Sequence, residues 1–440
     1  MSVEFRDPVH GTLMFSAAET AVIDTPEFQR LRAIKQLGFA DVSFPGATHT
    51  RFLHSLGVSH LAGRIFDSIF KDFGFSKPSV KARLRQVVRL GALLHDVGHG
   101  PLSHTTEDVM PLVKDLEIAA YEKRAKGERP SDMKGFSSLR ATHEDYTIKF
   151  LTDSNLSKVL EKHFSDIDPF YIAALVDRSL NMKDDFFIDQ GLDFRPILSQ
   201  IVSSELDADR MDYLERDSYF SGTNYGKIDL DWLIAHMKFA IVDKKLYLAL
   251  NRRALYTFDD FMLSRHHIHL MVYFHHKPII YEEMLNLYLL SDDCDFSLPA
   301  DIGEYVRYND FRLYEHLAGS RNEWAQRISQ RRPYQRLIEL HNTGDSSRSK
   351  KIIKFLDSND IHNIWSSSQA RLSKYHAGPA EDRPNQIYVV DQFDRLDKPT
   401  PIDRSTEIFQ KYEGTRIIDR IYVAPENFRR AEKILAEAKI

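Results

Sequence analysis

Val80-Lys-Ala-Arg-Leu-Arg-Gln-Val-Val-Arg-Leu-Gly-Ala-Leu-Leu-His95 runs straight into Asp96-Val-Gly-His-Gly-Pro-Leu-Ser-His104. Val80, Leu84, Val87, Val88, Gly91 and Leu94 recur at three- and four-residue intervals, so the first stretch predicts a helix with one apolar face. Two Gly and a Pro within the next six residues end it. The helix thus delivers His95 and Asp96 to its own break, where two different ligand atoms can converge. His99, Ser103 and His104 follow at once. A lone His-Asp pair is usually no more than a capped helix end. Four titratable groups in an otherwise apolar, Gly-rich turn exceed what a structural role requires.

Outward from this junction, residues 5 to about 330 show the same helical recurrence. Tyr121 to Leu139 is polar, with Lys, Gly, Pro and Ser throughout, and reads as a mobile insertion. Beyond residue 331 the pattern changes. A basic polar run, Ser346 to Lys351, reads as a solvated loop, and a second loop spans Ala377 to Pro384. Gln386 to Val390 and Arg420 to Ala424 look like short strands, and Asn427 to Ile440 like a closing helix. The expected fold class is mainly α: a helical domain over residues 1–330, followed by a smaller α+β C-terminal region over 331–440. No tandem repeat is visible.

Composition narrows the function classes. The chain has 440 residues, 42% of them hydrophobic and 28% charged, enough for a sizeable core. A net charge of −5 argues against broad coating of nucleic acid. The single Cys294 excludes an internal disulfide and fits a reducing compartment. Met1 to Asp7 has no apolar signal core, and no stretch reaches membrane-spanning length, so a cytoplasmic location without membrane attachment is expected.

Histidine is abundant, with 19 copies. A hydrolytic metal site needs nitrogen and oxygen ligands, an open position and groups that orient the ligands. His54, in Thr50-Arg-Phe-Leu-His-Ser-Leu-Gly57, and Asp209, in Asp207-Ala-Asp-Arg-Met-Asp-Tyr213, offer such atoms beside His95 and Asp96. Two His and two carboxylates suit Mn, Fe, Zn, Ni or Mg rather than a thiolate-selected metal. A second segment, Arg265 to Lys277, places Arg265, His269 and Tyr273 at i, i+4 and i+8, so a helix there carries a cation, an imidazole and a phenol on one face. The plainer reading is an amphipathic helix with Ile268, Met271 and Val272 on its apolar side.

Taken in order, Asp7-Pro-Val-His-Gly11, Ile23 to Arg32, Ile34 to Gly38, Phe44 to Gly57, His95 to His104, Thr142-His-Glu144 and Asp207 to Asp217 resemble the HD-domain superfamily of phosphohydrolases. The likeness is to its deoxynucleoside triphosphate triphosphohydrolase branch, which includes the vertebrate protein joining a sterile alpha motif to an HD domain. The resemblance runs over most of residues 5 to 290. It implies that His54, His95, Asp96 and Asp209 are ligands of a divalent metal ion. His104 matches the acid that protonates the leaving 5′ oxygen, Glu107 the group that orients it, and His99 and His143 the histidines that line the α-phosphate. Tyr273 and Leu37 would leave no room for a 2′-hydroxyl. Gln36 and Asp217 would receive the 3′-hydroxyl, and Arg51, Arg210, Tyr213, Arg265 and His269 would address the phosphates.

The resemblance further implies a homo-oligomer, dimer or tetramer, and a nucleotide effector. Asp24, Gln29, Arg30 and Arg32 match part of a second, allosteric nucleotide site. The Lys of that site, expected just ahead of Asp7, is missing; Val3 and Glu4 stand there, and Glu4 would repel a triphosphate. His276 stands where a phosphate-contacting Lys is expected, with Lys277 adjacent. The implied reaction is hydrolysis of deoxynucleoside triphosphates to deoxynucleoside and inorganic triphosphate. Two other readings compete. One is an HD phosphohydrolase acting on a monophosphate, a cyclic or signalling nucleotide, or a nucleic acid. The other is a non-catalytic nucleotide or single-stranded nucleic-acid binding protein using Arg331-Arg-Pro-Tyr334 and the run to Lys351. Arg51, Arg210, Arg265 and Tyr273 favour a triphosphate, because a monophosphate needs fewer cations.

Overall fold

Pro78 opens the helix that ends at the His-Asp junction, which forms over Pro78–Leu94. A proline in the first turn forfeits an N–H that has no intrahelical partner anyway. Leu84, Val87, Val88, Gly91 and Leu94 are buried along it, as their spacing predicts. Their face lies on the helix Arg51–Ile69, which is itself buried on nearly every side, with Leu56, Leu61, Ile65 and Phe66 at its centre. The two helices are tied by a hydrogen bond from Ser59 Oγ to the Arg89 carbonyl at 3.0 Å. The computed structural model describes residues 2–124, 128–129, 132, 135–342, 346–370, 386–391, 398–412 and 416–438.

The fold is mainly α with a smaller sheet-bearing C-terminal region. Four further elements position the site. The helices His143–Thr152 and Ala208–Ser221 close on the first pair, and Leu255–Ile268 and His276–Leu289 form the opposite wall. Among the described residues no helix is long and apolar enough to cross a membrane.

Antiparallel hairpins interrupt the helical part, two of them with strands of five residues or more. Val3–Asp7 pairs with Gly11–Phe15, and Met237–Val242 pairs with Lys245–Asn251. The second turns on Asp243 and Lys244, both left-handed at φ 49° and 60°, the backbone that a two-residue hairpin loop demands. Neither hairpin is visible in the helical reading of residues 5 to 330.

In the C-terminal region, Arg416–Val423 is the central strand between Gln335–Asn342 and Asn363–Ala370, antiparallel to both. Ser346 to Lys351, expected as a solvated loop, instead begins a helix, Ser347–Asp357. Its cations decorate a helix whose other face is apolar: Ile352 and Leu356, four residues apart, are buried with Ile421, Val423, Ala431 and Leu435 in a small second core. The closing helix forms over Phe428–Ala438; residues 439 and 440 lie outside the described residues.

Strand Tyr388–Val390 runs parallel to Lys245–Asn251, so residues 386 to 412 return to the main core, where Ile387, Val389, Ile402 and Ile408 are buried. The expected loop at 377–384 lies outside the described residues, as do 125–127, 130–131 and 133–134 of the expected insertion. At that insertion's start Tyr121 is buried and Arg124 pairs with Asp177 at 2.7 Å.

Candidate metal centre and adjoining cavity

His54, one turn into the helix Arg51–Ile69, is fully buried. Its Nδ1 lies 2.8 Å from Asp212 Oδ2, so Nδ1 carries the proton and Nε2 is left as a lone pair facing His95 and Asp209. Asp212 is gripped in turn by Arg216, at 2.8 Å from each of its oxygens, and by His10 Nε2 at 2.7 Å, while Arg216 also reaches Asp7 at 2.7 Å. This network fits only because residue 57 is glycine: a Cβ there would lie 1.8 Å from Asp212 Oδ1.

His95, the first residue past its helix, turns Nδ1 back onto the Ala92 carbonyl at 2.8 Å. Its Nε2 is thereby also free as a lone pair. Asp209 enters from the first turn of the helix Ala208–Ser221, whose N-cap Asp207 accepts from the Arg210 N–H at 2.7 Å. Asp209 Oδ1 stands 3.1 Å from His54 Nε2 and 3.6 Å from His95 Nε2.

The residues fit a divalent ion on three counts. His54, His95 and Asp209 offer one ligand atom each within 4.8 Å of one another. Both Nε2 atoms are buried without a hydrogen-bond partner, a costly state unless something electropositive faces them. The centre also draws positive charge: burial lowers the His54 pKa, but the facing carboxylates of Asp209 and Asp212 outweigh it and raise it to about 10, so the site favours a cation at Nε2, whether a proton or a metal ion. Asp96 lies beside the trio, with Oδ1 3.4 Å from His95 Nε2 and Oδ2 3.6 Å from His54 Nε2. Its Oδ2 is shared with Arg51.

The next turn builds a second cluster. Gly98 lets the helix His143–Thr152 come down on the junction, since a Cβ would meet the His143 carbonyl at 2.1 Å. Thr147 then bridges it, accepting from the Gly98 N–H at 3.0 Å and donating to the His95 carbonyl at 3.1 Å. The His99 and His143 rings stack at 3.8 Å. Burial, with Arg51 and His143 nearby, holds His99 well below the ordinary imidazole range, so it is neutral. Leu102 and Ser103 are both left-handed, at φ 52° and 61°, a conformation that side chains resist and that recurs at functional turns. It is held by Leu102 N–H to Asp310 at 2.7 Å and by Ser103 to Arg51 and to the Lys35 carbonyl. The bend aims His104 outward, with its side chain 67% exposed. Glu107 Oε1 takes Nδ1 of His104 at 3.0 Å and Nδ1 of His143 at 2.5 Å. Burial pushes the Glu107 carboxyl up, but these two bonds prevail and hold it down to about 2.

A cavity of about 680 Å³ opens beside both clusters. All nine residues that the sequence proposed for substrate line it: Gln36, Leu37, Arg51, Arg210, Tyr213, Asp217, Arg265, His269 and Tyr273. Asp209, Tyr213 and Asp217 share one face of their helix at four-residue spacing. The Arg265 to Lys277 segment departs from the expected single helix. The α-helix ends at Ile268, His269–Tyr273 forms a π-turn, and a new helix starts at His276. The wider turn still brings Arg265, His269 and Tyr273 to the cavity, but leaves Met271 half exposed rather than on an apolar face. The Tyr273 hydroxyl donates to Asp217 at 2.5 Å and His49 takes the other Asp217 oxygen at 2.8 Å, which fixes the phenol as a rigid wall.

The expected effector residues do not stay together. Asp24 and Arg32 are exposed, and Gln29 accepts from Arg32 at 2.7 Å. Arg30 points inward instead, donating to the carbonyls of Val97 at 2.7 Å and Tyr308 at 3.1 Å and lying over the Tyr305 ring. The buried carbonyls of Val97, in the Gly-rich turn, and of Tyr308 claim its guanidinium, contacts that compete with the effector role the resemblance implies for it. His276 and Lys277 line a different cavity from Tyr273. The bracing residues Asp7, His10, His49, Asp212, Arg216 and Asp310 had no role from sequence. The i, i+3 and i+4 spacing of Asp209, Asp212 and Arg216 was the readable trace of that brace.

Residues 51–217 match the HD domain family and residues 228–358 the HD associated region. An uncharacterized protein of Methanocaldococcus jannaschii is 28% identical over 406 residues, 91% of this chain and 75% of that protein. Uncharacterized protein YwfO of Bacillus subtilis is 32% identical over 62% of this chain and 51% of its own length. The deoxynucleoside triphosphate triphosphohydrolase SAMHD1 of Homo sapiens is 30% identical over 66% of this chain and 44% of its own length. The chain thus spans about half the length of the last two relatives. The crystal structure of a hypothetical protein from Aquifex aeolicus superposes with a TM-score of 0.74 at 26% identity, covering 99% of this chain and 100% of that one. With His54, His95, Asp96 and Asp209 all inside the matched segment, the chain belongs to the HD-domain superfamily of metal-dependent phosphohydrolases.

Proposed function

We propose that the protein hydrolyses deoxynucleoside triphosphates to a deoxynucleoside and inorganic triphosphate. The observation that carries this reading is the single cavity in which three arginines and a rigid tyrosine wall meet Asp209 of the metal-fitting trio. The name of the human relative, a deoxynucleoside triphosphate triphosphohydrolase, supports the same class.

A divalent ion held by His54, His95 and Asp209, with Asp96 beside them, would supply Lewis acidity toward the α-phosphoryl group. The chain's own residues do the rest. Arg51, Arg210 and Arg265 spread positive charge along the triphosphate. Neutral His99, stacked on His143, lines the α-phosphate without competing for protons. His104, its Nδ1 held by Glu107, keeps Nε2 toward the cavity and gives its proton to the 5′ oxygen as the bond from that oxygen to α-phosphorus breaks. Water adds to the α-phosphorus, so triphosphate leaves intact and the deoxynucleoside carries the new hydroxyl hydrogen. Gln36 Oε1, buried without a partner, accepts from the 3′-hydroxyl. Tyr273, pinned to Asp217, closes the space at C2′.

The test is an assay that detects phosphate, pyrophosphate and triphosphate separately. Triphosphate is the expected product, with GTP turned over at least roughly a hundredfold more slowly than dGTP, because a ribose hydroxyl meets the wall unpaired. Release of phosphate or pyrophosphate, or equal rates for the two nucleotides, overturns the proposal.

A further inference from the structure

The far side of the cavity contains polar groups that the proposed reaction does not use. Pro278, Ile279, Glu282 and Asn286 occupy one face of the helix His276–Leu289, at i−4, i−3, i and i+4 from Glu282, and all four line the cavity. Along the axis they span about 12 Å. Ala40, Leu102 and Phe274 add apolar lining. Glu282 has no hydrogen bond or ion pair among the described residues, whereas its neighbour Glu283 is turned to Ser366. Burial, then repulsion from Glu283, pushes the Glu282 carboxyl up to about 7, and a ligand that brings two N–H donors would draw it back to the carboxylate. Asn286 Oδ1 is buried and unpartnered one turn away. The unpartnered Asn286 acceptor is costly unless a ligand completes it, and Glu282, a turn away, offers two further acceptors to the same cavity.

We infer that Glu282 and Asn286 read the base of the nucleotide and that the preferred base is guanine, an assignment that rests on reading the cavity as a deoxynucleotide site. A carboxylate offers two acceptors side by side and no donor. Of the four bases, guanine alone presents two adjacent N–H donors on its Watson–Crick edge, N1–H and the 2-amino group. Adenine and cytosine set a ring-nitrogen acceptor next to their amino group, and thymine flanks its single N–H with two carbonyls, so each turns lone pairs toward the carboxylate. The Asn286 amide carries a donor as well as an acceptor, and rotating it by half a turn replaces the orphaned acceptor with the donor, which meets guanine O6. The remaining wall is apolar and takes the ring faces without discriminating among them.

Glu282→Gln makes the claim sharp, because it alters the pattern without altering the shape. Glutamine accepts at one atom and donates at the other, which fits the amino group and N1 of adenine. The experiment measures kcat/KM for dGTP, dATP, dCTP and TTP with the full chain and a divalent metal, for the wild type, Glu282→Gln and Asn286→Ala. Comparing substrates within one protein makes the result independent of the folded fraction. The wild type is expected to prefer dGTP. Glu282→Gln lowers the dGTP-to-dATP ratio at least about tenfold, and Asn286→Ala lowers it by a smaller factor. A wild type indifferent to base, or a ratio within about twofold of wild type in both variants, overturns the assignment while leaving the triphosphohydrolase reading intact. If no deoxynucleotide releases triphosphate, that reading falls. Calorimetry with deoxyguanosine and deoxyadenosine then decides: tighter deoxyguanosine binding that reverses in Glu282→Gln retains the base assignment, and equal affinities end it.

Discussion

Two histidine clusters share Asp96 as a neighbour and are built to opposite rules. In the first, His54 and His95 have one ring nitrogen tied to a fixed acceptor, Asp212 or the Ala92 carbonyl, and the other nitrogen bare and buried. In the second, His104 and His143 share one acceptor, Glu107, and His104 stands open to the cavity. Asp96 Oδ1 is 3.4 Å from His95 and 3.3 Å from His99, so one carboxylate belongs to both. The first cluster presents lone pairs that cannot turn away, as metal ligation requires. The second presents a proton that can leave. The difference separates binding an ion from moving a proton within a few ångströms.

The separation can be broken one residue at a time. Asp209→Ala removes the only carboxylate of the three-ligand set, and both metal content and turnover should fall to background by elemental analysis and triphosphate release. Persistence of either would relocate the metal. His104→Gln should lower kcat by roughly 10²- to 10⁴-fold, the usual worth of a positioned acid, with metal content unchanged. Loss of metal in that variant would merge the two clusters into one. Asp212→Asn leaves the ligands in place and loosens the brace beneath His54. Metal affinity should weaken by roughly 10- to 100-fold, and the melting temperature should drop because Arg216 and His10 lose a buried partner.

The first cluster was legible because its parts sit at sequence landmarks: a helix break at His95, a helix start at Arg51 and an acidic cap before Asp209. Its brace was not, because Asp212 and Arg216 look like ordinary helix-surface charges until Gly57 brings another helix against them. Arg30 shows the same limit in reverse. Its motif matched an effector site, yet the side chain is drawn inward by the Val97 and Tyr308 carbonyls, which only tertiary packing supplies. The π-turn at His269–Tyr273 escaped notice because three cavity residues at four-residue spacing are compatible with either helix geometry. The C-terminal helix Ser347–Asp357 was hidden by its cations, since a short amphipathic helix with a charged outer face has the composition of a loop.

The smallest expected effect concerns Glu107 and the pH dependence of stability. Burial favours its protonated form, yet the bonds from His104 and His143 hold the carboxyl down from 4.5 to about 2. A carboxylate with a lowered folded-state pKa stabilises fully above its unfolded value, near 4.5, and loses that contribution as pH falls toward about 2. Glu107→Gln keeps the shape but cannot titrate. The wild type should therefore be more stable than this variant by on the order of 1–3 kcal/mol near neutrality, with the gap closing between about pH 4.5 and 2. Chemical denaturation at several pH values measures it. A gap that stayed constant across that window would mean that the two histidines do not share Glu107, and the second cluster would lose the acceptor that distinguishes it from the first.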